Sequence, residues 1–188
     1  MKKNQYFKNA FGHLKTILMH KYWVFIYCCK LGIPWQGIMH DMSKFSWTEF
    51  SESVKYYQGG KKSPIPVIKK ENGYSKAWQH HKGRNRHHYE YWTDNYSKGT
   101  TFIKIPFKYV IELIADWMSA GKTYAKNNGK EFTIDDEIEW WNKWPEKCAI
   151  NTDTVELIDT IFMHIKTFGF KSFRKYKQSI KEWYKNLK

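Results

Sequence analysis

The breaks between helical segments are few and widely spaced, and they constrain the fold of this chain most. The sequence of 188 residues contains five prolines and eleven glycines. Residues 6–31 contain no proline and a single glycine, Gly12, and their apolar residues recur every three or four positions. This is the spacing of one face of an α-helix. Gly32 and Pro34 then mark the end of this helix and the first turn of the next.

The rest of the chain predicts further helices separated by short loops. Ser46 followed by Glu49, for example, is a capping-box pattern at the start of a helix. Helices are expected over residues 35–41, 47–57, 75–84, 106–126, 133–144, 152–169 and 172–187, and loops over residues 58–73 and 95–101. We therefore predict an all-α fold in one compact domain, with a core of about residues 6–126 and basic C-terminal helices, residues 152–188, packed on it.

Composition excludes three classes of protein. Aromatic side chains make up 19% of the residues, whereas disordered chains lack them, and these rings predict an aromatic-rich core. Three cysteines, two of them the adjacent Cys28 and Cys29, cannot form a disulfide framework. The most apolar segment, residues 17–31, contains charged residues and is too short for a membrane span. We therefore expect a cytoplasmic protein in a reducing compartment, without a membrane partner.

Positive charge dominates the chain and is unevenly distributed. Lysine and arginine total 32 against 18 acidic residues, which gives a formal net charge of +14. No acidic residue precedes Asp41, and residues 61–88 and 164–188 are both strongly basic. Such a surface attracts polyanions, namely nucleic acid, nucleotides or acidic lipid. We expect a nucleotide or nucleic-acid partner; a basic surface that only keeps the protein in solution is the alternative.

Histidine and aspartate residues form the chemically most specific pattern. Four of the eight histidines lie within residues 80–88, and His40 directly precedes Asp41. Imidazole and carboxylate groups are ligands that divalent transition metals prefer. Asp116 lies on the apolar face of the helix expected over residues 106–126, where an unpaired carboxylate would be unfavourable. We predict a metal site; a solvated basic surface for the histidines and a helix–helix hydrogen bond for Asp116 are the alternatives.

These residues follow one another in a recognisable order. The chain presents His20, then His40-Asp41-Met42-Ser43-Lys44, then the histidine cluster, and then Asp116. This order resembles the signature of the HD-domain superfamily of metal-dependent phosphohydrolases, which are all-α proteins. Within it, His-Asp-x-Ser-Lys-Phe and Asn-x-His-His-x-x-Tyr-Trp resemble the motifs of a small, functionally undefined family of bacteria and their phages. The residues from Tyr124 onward match none of these motifs.

The resemblance implies a fold, a cofactor and an activity. It implies an HD-domain-like helical bundle that holds one or two divalent transition-metal ions (Mn, Fe, Zn, Ni or Co). It also implies hydrolysis of a phosphoester in a nucleotide or nucleic acid. The implied metal ligands are His20, His40, Asp41, His81, His87, His88 and Asp116. The spacing from His20 to His40 is short for the superfamily, so His13 competes with His20 for the position of first ligand. Helical phase does not separate the two, because residues seven apart share a helix face.

The resemblance and the residues around it also suggest catalytic and substrate-binding groups. The expected catalytic residues are Asp41, Lys44 and Asp116. The expected substrate-binding residues are Lys44, Arg84, Asn85 and Arg86. Lys44 follows Asp41 by one turn and is expected to neutralise charge on phosphoryl oxygens. The two arginines would hold a second phosphate unless they are plain surface residues, and Asn85 would orient a ligand if one helix continues through residues 81–88.

Two other functions are compatible with the same pattern. Some relatives of the superfamily use a pair of iron ions on this scaffold for oxygenase chemistry. A basic helical protein that binds a nucleotide or nucleic acid without turnover is the other alternative. Five tryptophans near the motifs could stack on a base, although core packing explains them more simply: Trp35, Trp47, Trp78, Trp92 and Trp117.

Overall fold

The computed structural model describes residues 3–187, which form eight α-helices and one short β-hairpin. The helices are α1 (Lys3–Leu31), α2 (Pro34–Met39), α3 (Trp47–Lys55), α4 (Ile65–Asn72), α5 (Lys76–Arg84), α6 (Phe107–Asn127), α7 (Ile134–Lys143) and α8 (Thr152–Asn186). The antiparallel strands are β1 (Thr93–Tyr96) and β2 (Gly99–Phe102). Short 3-10 turns cover Met42–Phe45, Tyr89–Trp92 and Pro145–Ala149. The predicted all-α fold class is confirmed.

Local sequence signals set several helix boundaries. Ser46 and Ser75 cap α3 and α5, because each side-chain hydroxyl accepts a hydrogen bond from the backbone N–H three residues later. Gly32 ends α1 with a positive φ of 75°, a conformation that glycine adopts without strain. The Lys177 ammonium on α8 donates a hydrogen bond of 2.7 Å to the carbonyl of Gly32 and so ties the end of α1 to the C-terminal helix.

Three predicted segments differ from the structure. Residues 58–73, expected as a loop, contain α4, because Pro66 occupies its first turn, where a missing N–H is tolerated, and Ile68 is fully buried. Residues 95–101, also expected as a loop, form most of the β1–β2 hairpin. The break expected at Gly169 is a kink within α8, where the glycine has a φ of 76°.

Helices α1, α6 and α8 supply most of the hydrophobic core. Their fully buried side chains include Val24, Cys28, Leu31, Val110, Ile111, Leu113, Ile114, Leu157 and Ile158. Burying each aliphatic side chain of this size stabilises the fold by about 1.5–3 kcal/mol. Aliphatic side chains form most of the core, but within residues 3–187 rings are six of its 22 buried residues and nine more rings are partly buried against it, so the expected aromatic-rich core is confirmed in part. Trp141, Phe162 and Phe173 are almost fully buried, whereas rings such as Phe11 and Trp47 are exposed.

The apolar stripe that predicts α1 lies on the outside of the molecule. Phe7, Phe11 and Leu18 belong to this stripe and are more than half exposed. The opposite face of α1, which includes Val24 and Cys28, packs into the core instead. The periodicity thus predicts the helix correctly but does not identify its buried face. Within residues 3–187, no helix combines the length and the apolar character that crossing a bilayer requires.

Glu137 on α7 is a buried acid that makes stability depend on pH. Glu137 is only 3% exposed. Burial, followed by the charges of Asp116 and Asp136, raises the pKa of Glu137 from 4.5 to about 8. The folded protein therefore retains a proton that the unfolded chain releases. The free energy of unfolding should fall as the pH rises from 4.5 to about 8, and it should level off above that.

We expect Glu137→Gln to remove this dependence. Above pH 8 the variant should be more stable than the parent by up to about 4 kcal/mol, and near pH 4.5 the two should differ little. Thermal melts across this pH range measure the effect, with Glu156→Gln, a change at an exposed residue of α8, as the control. An equal effect of Glu137→Gln at both ends of the range would contradict the assignment.

Candidate metal centre

Side chains from four parts of the chain converge between α1, α5 and α6. One comes from α1, two from the turn after α2, three from α5 and the segment that follows it, and one from α6. All are buried, with at most 8% of the residue exposed: His20, His40, Asp41, His81, His87, His88 and Asp116. These are the seven residues that the resemblance implies as metal ligands, and the structure brings them together.

The seven side chains form two groups that have Asp41 in common. In the first group, ligand atoms of His20, His40, Asp41 and Asp116 lie within 4.8 Å of one another. In the second group, the same holds for ligand atoms of Asp41, His81, His87 and His88. Three or four protein donors around one point are typical of transition-metal sites. The arrangement could therefore hold two ions side by side.

Asp41 can serve both groups because its two oxygens face in different directions. Its Oδ2 is 3.1 Å from Nε2 of His40, and its Oδ1 is 3.5 Å from Nε2 of both His81 and His87. Among the described residues other than glycine, Asp41 alone has a positive φ, of 52°. That conformation is unfavourable for most side chains, and such backbone outliers concentrate at functional sites.

The histidine nitrogens fit a bound cation. The Nε2 atoms of His87 and His88 are buried and make no hydrogen bond within residues 3–187. Burial, with help from the Lys44 charge, lowers the pKa of His20 to about 4. Burial and the neighbouring His87 hold the pKa of His88 well below its ordinary value. Both imidazoles are therefore neutral at neutral pH, which is the form that binds a metal.

The two aspartates of the site are ionised. Burial alone would raise the pKa of Asp41, but His40 and His81 outweigh it and hold that pKa well below the usual range. Asp116 is affected in the same way, since His20 and His40 overcome its burial and lower its pKa. Asp41, with Asp116 and Glu112, outweighs burial and in turn holds the pKa of His40 well above its ordinary value, so a bound metal would displace a proton from His40. The site thus combines imidazoles with anionic carboxylates, a donor set that suits divalent transition metals.

Glu49 on α3 orients the candidate ligand His81 through the Nδ1 atom of its ring. Its carboxylate accepts hydrogen bonds from Nδ1 of His80 at 2.7 Å and from Nδ1 of His81 at 2.8 Å. When Nδ1 of His81 donates, its Nε2 keeps a free lone pair facing Asp41. Carboxylates in this position fix the orientation of a metal-binding histidine and raise its basicity.

Glu112 on α6 does the same for two other histidines. Its Oε1 accepts a hydrogen bond from Nδ1 of His40 at 3.1 Å and lies 3.3 Å from Nδ1 of His87. Glu112 precedes Asp116 by four residues, so one face of α6 carries both a candidate ligand and a residue that orients two others.

We expect Glu49→Gln to weaken metal binding about 10- to 100-fold, because the amide orients His81 less firmly and lowers its basicity. Competition with a chromophoric chelator measures the affinity. His80→Gln is the matched control, since it removes the other partner of Glu49 without touching a candidate ligand. An unchanged affinity in Glu49→Gln would show that Glu49 does not support the site.

A cavity of about 360 Å³ opens onto both groups. Four candidate ligands line it, namely His20, His81, His88 and Asp116. Its basic lining residues are Lys44, Lys62 and Lys69. Its aromatic wall includes Trp78, Trp117, Trp140, Trp144 and Tyr124. Apolar walls with a few charged groups are typical of sites for small molecules, and the volume lies within their usual range.

The predicted substrate-binding residues differ in where they lie. Lys44 lines the cavity, and its Nζ is 2.6 Å from Oδ2 of Asp41. Arg84 and Arg86 are exposed and do not line the cavity. Arg86 instead donates a hydrogen bond to the hydroxyl of Tyr109. The structure therefore favours the surface alternative for both arginines.

Asn85 does not lie on a continuous helix with the histidines around it, so that expectation is wrong. Helix α5 ends at Arg84, and Asn85 adopts an extended conformation. Its side-chain amide donates hydrogen bonds of 2.8 Å to the hydroxyl of Ser43 and to the carbonyl of His81. Asn85 thus ties the end of α5 to the turn after Asp41 and helps to position His87 and His88 indirectly.

His20, and not His13, joins the first ligand group. His13 packs its ring against Phe50 and Tyr57, with centroids 5.4 and 6.0 Å apart. Although His13 also lines the cavity, none of its atoms belongs to either group of candidate ligands. The sequence leaves open whether His13 or His20 is the first ligand, and the packing of α1 against α3 decides for His20.

The sequence predicts some of the tryptophans of the site and neither of its two supporting glutamates. Of the five tryptophans singled out in the sequence, Trp78 and Trp117 line the cavity, whereas Trp35, Trp47 and Trp92 do not. Sequence reasoning missed Trp140 and Trp144 in the wall, and Glu49 and Glu112 behind the histidines. The position of Glu112 on the apolar face of α6, four residues before Asp116, is a signal that could have identified it.

Comparison with known proteins places the chain in a family. Residues 9–164 match the family model DUF5662, which is described as a family of unknown function. No curated protein and no solved structure matches the chain. The matched region spans most of the sequence and contains all seven candidate metal ligands. The chain therefore belongs to the DUF5662 family of unknown function.

Proposed function

We propose that this protein is a metal-dependent phosphohydrolase of the HD-domain type, and that its substrate is a phosphoester the size of a nucleotide. The observation that carries the proposal is the position of Asp41, shared by two groups of candidate ligands beside one cavity. Paired divalent ions, when bound, supply an activated water and offset the negative charge of a phosphoryl group.

The protein's own residues would hold and orient the reacting groups. Asp41 and Asp116 provide the anionic ligands, and the histidines provide neutral ones. Lys44 lies in the cavity wall with its ammonium group against Asp41. A phosphoryl group placed between the two ligand groups would contact this ammonium group, which favours charge developing on its oxygens.

The cavity supports a small substrate over a polynucleotide. Its volume of about 360 Å³ lies in the range of cavities that enclose small molecules, which suits a mononucleotide. Lys62 and Lys69 line the same cavity, together with the acidic Glu49, Glu90 and Glu146. Nζ of Lys69 lies 5.2 Å from the centroid of the Trp78 ring. Indole rings in the wall suit a flat group such as a base.

A di-iron oxygenase is the second candidate. The seven ligands include five imidazoles and two carboxylates, and an imidazole-rich set of this kind suits iron as well as the other transition metals. A protein that binds nucleotides without turnover is less well supported, because the cavity beside the ligand groups leaves room for an open coordination position, as catalytic sites require.

The test is to purify the full chain, determine its metals by elemental analysis, and measure phosphate release from nucleoside monophosphates and p-nitrophenyl phosphate. We expect turnover that a chelator abolishes and that Mn²⁺ or another divalent transition metal restores. An oligonucleotide, which the cavity would not enclose, should react slowly or not at all. A metal-replete protein that is inert on every phosphoester but consumes oxygen with iron bound would replace the proposal with the oxygenase.

A further inference from the structure

Helix α1 presents an apolar stripe that no other part of residues 3–187 covers. The stripe runs along one face for about five turns and consists of Phe7, Phe11, Leu18, Tyr22 and Phe25, all exposed. Phe11 is the most open of them, at 74%. Contiguous apolar surface of this kind on a folded protein marks a site of interaction.

The end of α2 and the turn that follows it widen the apolar surface beyond α1. Nζ of Lys21 on α1 donates hydrogen bonds of 3.1 and 2.7 Å to the carbonyl groups of Ile38 and His40, and this ties both to α1. The side chains of Ile38 and Met42 are about half exposed. The apolar surface is therefore broader than a single helix face.

Positive charge borders the stripe on both sides. Helical geometry puts Lys8 and Lys15 on one flank and Lys3 and Lys21 on the other. Helix α1 contains no acidic residue, and the first acid of the chain, Asp41, is buried. Near the C-terminal end of the helix, Arg174 and Lys177 of α8 lie against Gly32 and add further positive charge.

A partner that covers this surface must offer apolar groups and negative charge together. A second copy of the chain offers an apolar stripe but would bring lysines against lysines. A nucleic-acid duplex offers negative charge but keeps its bases stacked inside, so it would not cover an apolar stripe along a whole helix. An anionic phospholipid bilayer offers both, because aromatic and leucine side chains enter the interface while lysines reach the headgroups.

We propose that α1 docks this protein on the surface of a membrane rich in anionic phospholipid. The expectation of no membrane partner rested on the lack of a spanning segment, which docking in the plane of the interface does not require. This inference does not depend on the metal centre, since the stripe and the candidate ligands occupy different faces of α1.

The test is flotation of the full chain with vesicles of phosphatidylglycerol and phosphatidylcholine in equal parts, and with phosphatidylcholine alone. We expect binding to the anionic vesicles only. Phe11→Ser combined with Leu18→Ser keeps the net charge and should lower the partition coefficient about tenfold or more, because two apolar side chains no longer enter the interface. Both residues are exposed, and circular dichroism checks that the fold is retained.

The matched control replaces two exposed apolar residues of α8, Met163→Ser with Phe168→Ser, and should bind as the parent does. Three results would overturn the proposal. The first is no binding to anionic vesicles. The second is binding that Phe11→Ser with Leu18→Ser leaves unchanged, which would mean attraction by charge alone. The third is a parent protein that does not float but is a dimer, and that becomes a monomer in this double variant, which would assign the stripe to a second copy.

Discussion

We expect Asp41→Asn to lose both of the ions that the two ligand groups would hold and, with them, the phosphoester hydrolysis proposed for this site. An amide is a much weaker ligand than a carboxylate, and Asp41 is the one residue that belongs to both ligand groups. Turnover should fall by about a thousandfold or more, since the ions would supply both the activated water and most of the charge stabilisation. Elemental analysis after gel filtration and phosphate release from the same sample measure the two effects.

The control for this variant is Asp94→Asn, which changes an exposed carboxylate of the β1–β2 hairpin. It should keep its metal and its activity. A folded Asp41→Asn protein that retains the parent's full metal content would contradict the shared role of Asp41.

Asp116→Asn should lose only one ion and keep its fold. Asp116 belongs to the first ligand group, so the ion held by Asp41, His81, His87 and His88 should remain. If Asp116 were instead a structural partner of protonated His40, removing its charge would leave a buried cation unpaired and destabilise the protein by about 3–5 kcal/mol. The metal content would then be unchanged.

Melting temperature and metal stoichiometry, measured together on Asp116→Asn, separate these two roles. His88→Gln is the matched variant in the second group, and it should lose the other ion while retaining the one near Asp116. A folded, fully metal-loaded and active Asp116→Asn protein would contradict both roles.

The sequence predicts the helices better than it predicts their packing. Residues 6–31 are helical as expected, but both faces of α1 carry apolar side chains, with Leu18 on the outer face and Val24 on the inner one. Periodicity locates an apolar face, whereas burial depends on which other helices reach it. Helix α4 is not predicted for a different reason. The glycines and prolines around it favour a loop, but the burial of Ile68 stabilises a helix there instead.

The candidate ligands could be predicted because a few short motifs contain them in a fixed order. The residues behind them could not, because their roles arise from contacts between distant segments. Glu49 meets His81 through the packing of α3 against α5, and Trp144 reaches the cavity from beyond α7. The role expected for Asn85 is wrong for a related reason. Residues spaced i, i+4 share a face only where the helix is continuous, and α5 ends at Arg84.

The most direct test of the account is anomalous diffraction from crystals of the full chain grown with Mn²⁺. We expect two peaks, one among His20, His40 and Asp116 and one among His81, His87 and His88, with the carboxylate of Asp41 between them. A map without a peak at either group, or with manganese bound elsewhere and both groups empty, would contradict this expectation.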